Sequence, residues 1–560
     1  MSNSSSTDPL GSSPSEGDQT LVGSTPTTKP QSKVMSREKR NAFMFAFVVA
    51  IGGFIFGLDI MLISGTFQYI TVEFGLTALQ KGNIAAGPGY GALVALLFAG
   101  FFCERFGRKA TLLTIAALYT VSAIGSAWAP SYTSLFLFRL IGGLAFTSLS
   151  VAAMYIGEIA PPAMRGKLVG MNQLNIAIGI LAASLFNFWI VNVAETAPAW
   201  ATAISLNEGN VWRWMLGMET IPAILWFILL FFIPESPRWL MLNGKHEKAE
   251  KVLRRITPAD EVEEELKQIE ENLKDTTHTI GFVEQVKTLM SKRMRIAVLI
   301  GLFMGIVQPL TGMNAALAFM PSIFAQTGGA ENAFWNTMLV SFIGMFFTLA
   351  ALLVIDKLGR RIILLGGLAA CAAAMGLIGY GFSTAVYQIT PEALTYVSSS
   401  VDTSLLQPLV SQSFGGEIEF KQAVLDAVGK TSYDIIESDL LVHSVSMNAT
   451  LVLVGIIAFV CSYNFSVGPV LWILFSEIFP TKVRALAITS CGFVTSVFGG
   501  VVVPNMFPWQ IENFGSATTF LIYGTFCTLG LAVMAKYTPE TKGKTIEEIE
   551  QELAAKSLKS

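Results

Sequence analysis

Short charged segments that recur in the same order in both halves of the chain constrain its architecture most strongly. These segments, here called cassettes, pair 104–109 (ERFGRK) with 356–361 (DKLGRR), 157–165 (GEIAPPAMR) with 476–484 (SEIFPTKVR), and, more loosely, 234–238 (PESPR) with 539–543 (PETKG). A repeat in fixed order indicates a duplicated unit. Because long apolar stretches separate the cassettes, the duplicated unit is expected to consist of membrane-spanning segments.

The composition supports this interpretation and excludes several functions. Hydrophobic residues make up 52% of the chain and charged residues 14%, whereas soluble domains carry about 25% charged residues. The five cysteines lie in apolar segments without metal-ligand spacing, so we expect buried hydrophobes and no metal or cofactor. We find no nucleophile–base pair and no GxxxxGK[ST] phosphate loop, so neither an enzyme nor an ATP-driven pump is predicted. A nucleic-acid partner is not expected either.

Twelve segments are long enough to span a bilayer, which takes about 20 mostly apolar residues. They are 42–70, 81–103, 110–129, 132–156, 167–194, 212–233, 295–325, 334–355, 362–388, 446–475, 485–512 and 516–537. An even number places both termini on one side. The cassettes are rich in Lys and Arg and the opposite loops are poor in them, so the positive-inside bias makes the cassettes and both termini cytoplasmic.

The remaining segments divide the chain. Its predicted parts are a disordered Ser/Thr/Pro-rich tail (1–40), a six-helix half (41–233), a charged helical linker (234–294), a second six-helix half (295–538) and a C-terminal tail (539–560). Residue 104 recurs at 356 but residue 158 at 477, a larger offset, so the acidic segment 389–445 is an outer-face insertion. It is either a lid over the pathway or, as we favour, a spacer or partner surface.

Asp59 and Arg139 are charged residues in the middle of spans 1 and 4. A carboxylate there costs roughly 2.5–3.5 kcal/mol on insertion scales, so such residues face the bundle interior and are functional by default. Desolvation and a nearby cation act in opposite directions on such a carboxylate, which suits a group that alternates between charged and neutral forms. The two residues are expected to pair; a permanent structural ion pair is the alternative.

The chain resembles the sugar porter family of the major facilitator superfamily over residues 42–545. The loop from Gly100 to Lys109 marks the superfamily, although Glu104 stands where Asp is usual. The strings 234–240 (PESPRWL) and 539–543 (PETKG) are more specific to sugar porters. The resemblance implies an all-α membrane protein with twelve transmembrane helices in two six-helix halves, and substrate bound between the halves near the midplane.

The resemblance also implies a cytoplasmic gate, in which ion pairs hold the inner ends of the halves together while the site faces outward. The candidate gate residues are Arg108, Glu158, Arg165, Arg361, Glu477 and Arg484. Surface ion pairs are individually worth about 0–1 kcal/mol, which suits a gate that opens in every cycle. The alternative is that these charges only fix the topology.

Proton coupling is implied by the same resemblance, because proton symporters of the family pair an Asp and an Arg at the positions of Asp59 and Arg139. Glu219 matches a family position implicated in coupling on the cytoplasmic side. For Glu219 a structural acid of the inner network is the alternative.

The implied substrate contacts are neutral amides and aromatic residues, which suit polyols because an amide both donates and accepts hydrogen bonds. Gln173, Gln308 and Asn314 match family contacts, Phe56 supplies an aromatic rim, and Tyr463 and Asn464 are candidate replacements. Hydrogen bonding between helices is the alternative role for these amides.

Several usual contacts of the second half are absent, which leaves the substrate open. Pro309, Ala318, Phe319, Gly344, Val467 and Ser496 stand where the family often has Gln, Tyr, Tyr, Asn, Trp and Trp. A pentose, an inositol, another polyol or a non-sugar solute all remain candidates. Gly468 and Pro469 form a predicted hinge in span 10, with a static bend as the alternative.

The sequence therefore predicts a secondary active transporter that imports a small neutral sugar or polyol with protons. A passive uniporter and a non-transporting nutrient sensor are the alternatives. The protein is expected in the cell membrane, in contact with the lipid bilayer, and a monomer suffices for transport.

Overall fold

The computed structural model describes residues 37–160, 162–276, 282–328, 330–397, 402–480, 482–544 and 546–559. Most of the predicted tail 1–40 lies outside these ranges. Eleven helices in the described ranges are long and apolar enough to cross a membrane, and the longest, Leu486–Tyr537, has 52 residues. It contains Gly515 with φ 75° and ψ 166°, a backbone through which an α-helix cannot continue. This helix is therefore two spans, and the prediction of twelve spans is confirmed.

The first six spans form the N-terminal half. Their bounds are Arg37–Phe74, Ala78–Phe106, Arg108–Ala127, Tyr132–Ile159, Pro162–Thr196 and Val211–Leu230, with a short helix Ala199–Ala203 before the sixth. Thr77 and Ser131 begin spans 2 and 4 as capping boxes, so local sequence fixes both starts. Span 4 is not continuous: the 3₁₀ turn Ala145–Thr147 separates Tyr132–Leu144 from Ser148–Ile159.

The C-terminal half contains spans 7 to 12, and several are interrupted. Span 7 is Arg295–Leu310 and Met313–Gly328, span 8 is Ala330–Leu358, span 9 is Arg360–Ser383, and span 10 is Ala449–Phe465 and Val467–Ile478. Span 11 is Arg484–Ser496 with a π-helical turn Val497–Val502, and Val503–Tyr537 completes it and forms span 12 beyond Gly515.

The break in span 10 has a local cause. Pro469 lacks a backbone N–H, and its ring clashes with the carbonyl group four residues earlier, that of Phe465. The helix breaks at Ser466 (φ −130°, ψ −80°) and restarts at Val467. Gly468 and Pro469 thus occupy the first turn after the break, and their hinge role stays a prediction.

Short helices cover the ends of the spans that carry the cassettes. The linker contains Pro237–Leu242, His246–Ile256, Val262–Thr276 and Phe282–Leu289. Leu240 and Leu253 bury these helices against the N-terminal half. A C-terminal helix, Ile546–Lys559, packs on spans 7 and 10 through Ile549 and Leu553 and was not identified from the sequence.

The insertion that the sequence places on the outer face is a folded unit. Strand Val386–Gln388 lies between strands Ser413–Phe414 and Val445–Ser446 in an antiparallel sheet. The helices are Pro391–Val397, Thr403–Leu409 (3₁₀), Glu417–Val428 and Lys430–Ser444. Tyr387, Phe414 and Phe420 stack in its own core. Its helices also contact the outer part of span 7 and the start of span 12, so it is attached to the C-terminal half.

The two halves pack together at their outer ends. Leu62 and Trp212 of the N-terminal half share one buried apolar cluster with spans 7 to 12. Phe45 and Leu230, at the inner ends, belong to a separate cluster with the linker. Polar contacts between the halves include Ser184 Oγ to Ser341 Oγ at 2.7 Å and Asn505 Nδ2 to Tyr90 Oη at 2.8 Å. This conformation is closed on the side opposite to the cassettes.

Glu417 attaches the insertion to span 12, and its removal should destabilise the protein. Its Oε2 accepts the Ser516 N–H at 2.7 Å, and Oε1 lies 2.9 Å from Lys421 Nζ, with both side chains more than 90% buried. We expect Glu417→Ala to cost about 1–3 kcal/mol because a buried N–H loses its acceptor. Thermal unfolding in detergent measures this, with Glu419→Ala, exposed on the same helix, as the control. Equal stability of the two variants would contradict the assignment.

Candidate functional site

Asp59 of span 1 and Arg139 of span 4 form a buried ion pair. Arg139 Nη1 donates to Asp59 Oδ1, and the side chains are only 2–3% exposed. Asp59 Oδ2 and Arg139 Nε have no hydrogen-bond partner in the described part of the chain. The pair predicted from sequence therefore forms and keeps unused hydrogen-bonding capacity.

Glu219 completes a three-residue charged cluster. It is buried in span 6, at the junction between Val211–Gly217 and Thr220–Leu230, close enough to Asp59 and Arg139 for their charges to act on it. Two carboxylates then face one guanidinium. An uncompensated buried charge is costly, so the cluster is a suitable place for one exchangeable proton.

Tyr119 and Ser148 border this cluster and were not identified from the sequence. Tyr119 is fully buried, its hydroxyl group lies 3.4 Å from Ser148 Oγ, and it is in the field of Asp59 and Glu219. Both residues lie in apolar segments, where a single hydroxyl group gives no sequence signal of its own.

The amides predicted to contact substrate make different contacts. Gln308 Nε2 donates to the Tyr463 hydroxyl group, which joins spans 7 and 10, while Gln308 Oε1 has no partner among the described residues. Asn314 Nδ2 donates to the Gly499 carbonyl oxygen in the π-helical turn at 2.7 Å, which is a helix–helix contact in this conformation. Gln173 is half-buried on span 5.

Asn464 and Phe56 lie beside these groups. A Cβ atom on Gly344 would come within 2.8 Å of Asn464 Nδ2, so the absence of a side chain on span 8 makes room for this amide from span 10. The ring of Phe56 on span 1 packs edge-on against Phe146 on span 4, with centroids 4.6 Å apart.

The cassettes form one ion pair within each half. Arg108 pairs with Glu158 through two bonds, Nε–Oε2 at 3.0 Å and Nη2–Oε1 at 2.7 Å. In the other half Glu477 pairs with Arg360 at 3.1 Å. Arg361, the gate candidate beside it, turns its guanidinium to the Ala535 carbonyl oxygen at 2.7 Å.

Arg484 and Arg165, the other gate candidates, give no evidence about a gate in this conformation. Arg484 Nε donates to the Phe479 carbonyl oxygen at 3.0 Å within its own half. The side chain of Arg165 lies outside the described residues. The gate role of all six residues stays a prediction.

The glutamates of the third cassette pair cap helices that begin in the first pair. These contacts explain the glycines of the first pair. Glu235 accepts the N–H groups of Arg108 and Lys109 at the start of span 3. Glu540 accepts those of Arg360 and Arg361 at the start of span 9.

Gly107 (φ 93°) and Gly359 (φ 96°) precede these helices in a backbone region that favours glycine. A Cβ atom on Gly107 would lie 2.3 Å from the Glu235 carboxylate. A carboxylate is favourable at a helix N-terminus because of the positive end of the helix dipole. The cassettes are therefore structural caps as well as gate candidates.

Glu235 should give the protein a pH-dependent stability. Burial is the main cause of its raised pKa and outweighs the backbone bonds from Ser236, Lys109 and Arg108. A carboxyl group whose pKa is raised on folding contributes stability at pH values below its ordinary pKa of 4.5. That contribution is lost as the pH rises through the raised value. We expect wild-type stability to fall relative to Glu235→Gln as the pH rises from about 4 to 7.

Thermal unfolding of both proteins across this pH range measures the difference. Glu104→Gln is the control, since the Glu104 side chain is exposed in the last turn of span 2, close to the same cap. A stability difference that does not change with pH would contradict the prediction.

Comparison with known proteins agrees with this architecture. The family model described as "Sugar (and other) transporter" matches residues 45–399 and 429–553. An arabinose-proton symporter of Bacillus subtilis is 31% identical over 94% of this chain and 98% of its own length. The D-xylose-proton symporter of Escherichia coli is 29% identical, over 92% and 97%.

Solved structures match over a similar extent. The xylose transporter XylE from E. coli, in a partially occluded inward-open conformation, has a TM-score of 0.68 and 26% identity, covering 90% of this chain and 100% of that one. A complex of the proton:xylose symporter XylE with 6-bromo-6-deoxy-D-glucose has a TM-score of 0.66 and 28% identity, over 92% and 100%. This chain therefore belongs to the sugar transporter family, as a multi-pass membrane transporter with the major facilitator fold, and not to any class of enzymes.

Proposed function

We propose that this chain imports a sugar or polyol together with a proton, and that Asp59, Arg139 and Glu219 couple the two. The observation that carries the proposal is the buried cluster of two carboxylates and one guanidinium. The relatives of this chain include symporters named for arabinose, xylose and galactose, each with protons. A permanent structural pair would need only one carboxylate.

The charge balance suggests a sequence of steps. A proton that reaches Asp59 from outside neutralises it and weakens its bond to Arg139. The guanidinium then balances Glu219, so no net charge is left buried when the loaded site changes sides. Release of the proton to the cytoplasm restores the ion pair and leaves the cluster with one negative charge. The membrane potential drives this charge outward as the empty carrier returns.

The substrate site is proposed between the halves. Gln308, Tyr463 and Asn464 offer hydrogen-bonding groups from the C-terminal half, Gln173 and Phe56 lie on the N-terminal half, and Asn314 joins them when its bond to Gly499 opens. The partnerless Gln308 Oε1 is suited to accept a substrate hydroxyl group. A neutral solute with several hydroxyl groups satisfies this set best.

The proposed setting follows the charge distribution. The protein lies in the cell membrane with both termini in the cytoplasm, since its basic cassettes are all on the linker side. A single chain holds all the residues of both sites, so a monomer is sufficient for transport. The proposed gate consists of the ion pairs Arg108–Glu158 and Arg360–Glu477. When the inner side closes, these charges would form ion pairs between the two halves instead.

Accumulation in proteoliposomes tests the function. One proton supplies about 2.3 kcal/mol per 100 mV and about 1.4 kcal/mol per pH unit, enough for sugar ratios on the order of hundreds. Arabinose, xylose, galactose, glucose and inositol are tested as labelled substrates under an imposed gradient. We expect at least one to be accumulated and an uncoupler to collapse the accumulation. Equilibration without accumulation would indicate a uniporter, and the absence of transport for every solute would favour a sensor.

A further inference from the structure

We propose that Phe146 is a positioning residue that links substrate contact at Phe56 to the Asp59–Arg139 pair through a bend in span 4. The inference rests on the proposed proton symport and adds a residue that does not itself bind the proton. Phe146 stands in the 3₁₀ turn Ala145–Thr147, between the part of span 4 with Arg139 and the part with Glu158.

Two side-chain contacts connect span 1 with span 4. The outer one is the Asp59–Arg139 ion pair, and the inner one is the edge-on contact of Phe56 with Phe146 at 4.6 Å. Phe56 and Asp59 are one turn apart on span 1, so they share a face of that helix. Arg139 and Phe146 are seven residues apart, which places them on a common face of span 4. A shift at one contact is therefore transmitted to the other.

The turn separates two working parts of span 4. Tyr132–Leu144 carries Arg139, whereas Ser148–Ile159 carries Glu158, which is bonded twice to Arg108 at the cytoplasmic end. A change in the bend therefore alters the distance between the proton site and the gate candidate. Short 3₁₀ stretches within a helix often mark such hinges.

The repeat points to the same position. The offset that relates Glu158 to Glu477 also relates Phe146 to Phe465 and Thr147 to Ser466. Ser466 is where span 10 breaks. The fourth helix of each half is thus irregular at the same place, which a chance distortion would not produce.

The breaks in spans 4 and 10 have different causes, and the break in span 4 involves Phe146. Span 10 has Pro469, but the equivalent residue of span 4 is Ser150, which imposes no break. The irregular turn of span 4 is instead surrounded by side-chain contacts. The Phe146 ring lies against the Phe56 ring, and its centroid is 6.4 Å from that of the Tyr119 ring. The Tyr119 hydroxyl group contacts Ser148, just after the turn. A bend held by packing responds to a substrate that moves Phe56.

The expected consequence is a transporter in which sugar movement and proton movement can be separated. Without the Phe146 ring, the sugar site and the ion pair both remain, but occupancy at Phe56 no longer changes the bend. Phe146→Ala should then exchange sugar without a gradient and lose driven accumulation. Phe146→Tyr keeps a ring at the contact and should restore coupling.

The experiment measures labelled sugar and proton entry together in proteoliposomes, and also counterflow without a gradient. We expect Phe146→Ala to keep counterflow while its proton-to-sugar ratio falls about fivefold or more, a usual size for a coupling effect. Phe146→Leu is the second variant, because it retains apolar bulk and a folded core. Phe465→Ala, at the equivalent position of span 10, is the control and should leave the proton-to-sugar ratio unchanged.

Each outcome decides the inference. An unchanged ratio in Phe146→Ala and Phe146→Leu would overturn it, and so would loss of counterflow in both variants, because the ring would then serve folding alone. If the wild-type protein moves sugar without protons, the proposed function fails instead. That result is recognised in the wild-type trace before any variant is compared.

Discussion

An Asp59→Asn variant is expected to equilibrate its sugar but not to accumulate it. The amide has nearly the shape of the carboxylate and can still contact Arg139, so the substrate site should remain. It cannot take up and release a proton between pH 5 and 8, so the gradient no longer drives the cycle. In proteoliposomes the accumulation ratio should fall from the order of hundreds to about one, for the driving force of one proton.

A second carboxylate provides the control for this variant. Glu73 pairs with Arg213 at 2.6 Å near the outer surface, and also accepts a bond from the Trp212 indole N–H at 2.6 Å. Glu73→Gln should therefore retain accumulation. Counterflow at wild-type rates in Asp59→Asn is part of the prediction. Unchanged accumulation in Asp59→Asn would show that the proton binds elsewhere.

The second large effect is expected on stability, from Arg139→Met. Removing one partner of a buried ion pair leaves an uncompensated charge and typically costs about 3–5 kcal/mol. Here the cost is raised further because both Asp59 and Glu219 lose the guanidinium that lies beside them. We expect low abundance in the membrane and a melting temperature in detergent well below that of the wild-type protein.

A double variant separates this effect from a general packing defect. Asp59→Asn combined with Arg139→Met removes most of the charge imbalance and should be more stable than Arg139→Met alone. Non-additivity of this kind is expected for residues in direct contact. If the double variant is as unstable as the sum of its parts, Arg139 contributes through packing rather than through charge.

Much of the fold could be predicted because apolar length and basic loops are strong local signals. The break between spans 11 and 12 was located correctly because Gly515 stands among polar residues between two apolar runs. The irregular turn of span 4 could not be located in the same way. Ala145–Thr147 has no proline or glycine, so its geometry depends on residues from other helices.

The extramembrane parts were harder to predict for a different reason. The outer insertion is acidic and rich in serine, which resembles a spacer. Its order comes from a small core around Tyr387, Phe414 and Phe420 and from the Glu417 contact with span 12. The C-terminal helix is likewise fixed by partners far away in sequence, such as Arg293, which pairs with Glu550 at 3.0 Å.

In the candidate site, too, some residues could be predicted from the local sequence and others could not. The Asp59–Arg139 pair could be predicted because two opposite charges inside apolar segments need each other. The caps formed by Glu235 and Glu540 were visible only as a repeated motif, since their roles depend on contacts more than 100 positions away. Phe146 gave no signal at all, because an aromatic residue in an apolar helix is ordinary.

Sugar-induced proton movement tests the central claim most directly. Proteoliposomes with the wild-type protein are placed in a weakly buffered medium without a gradient, and the sugar found in the uptake screen is added outside. We predict that the external medium becomes more alkaline as sugar enters, and that Asp59→Asn takes up sugar with no such change. Sugar entry into wild-type vesicles at constant external pH would contradict the coupling role of Asp59, Arg139 and Glu219.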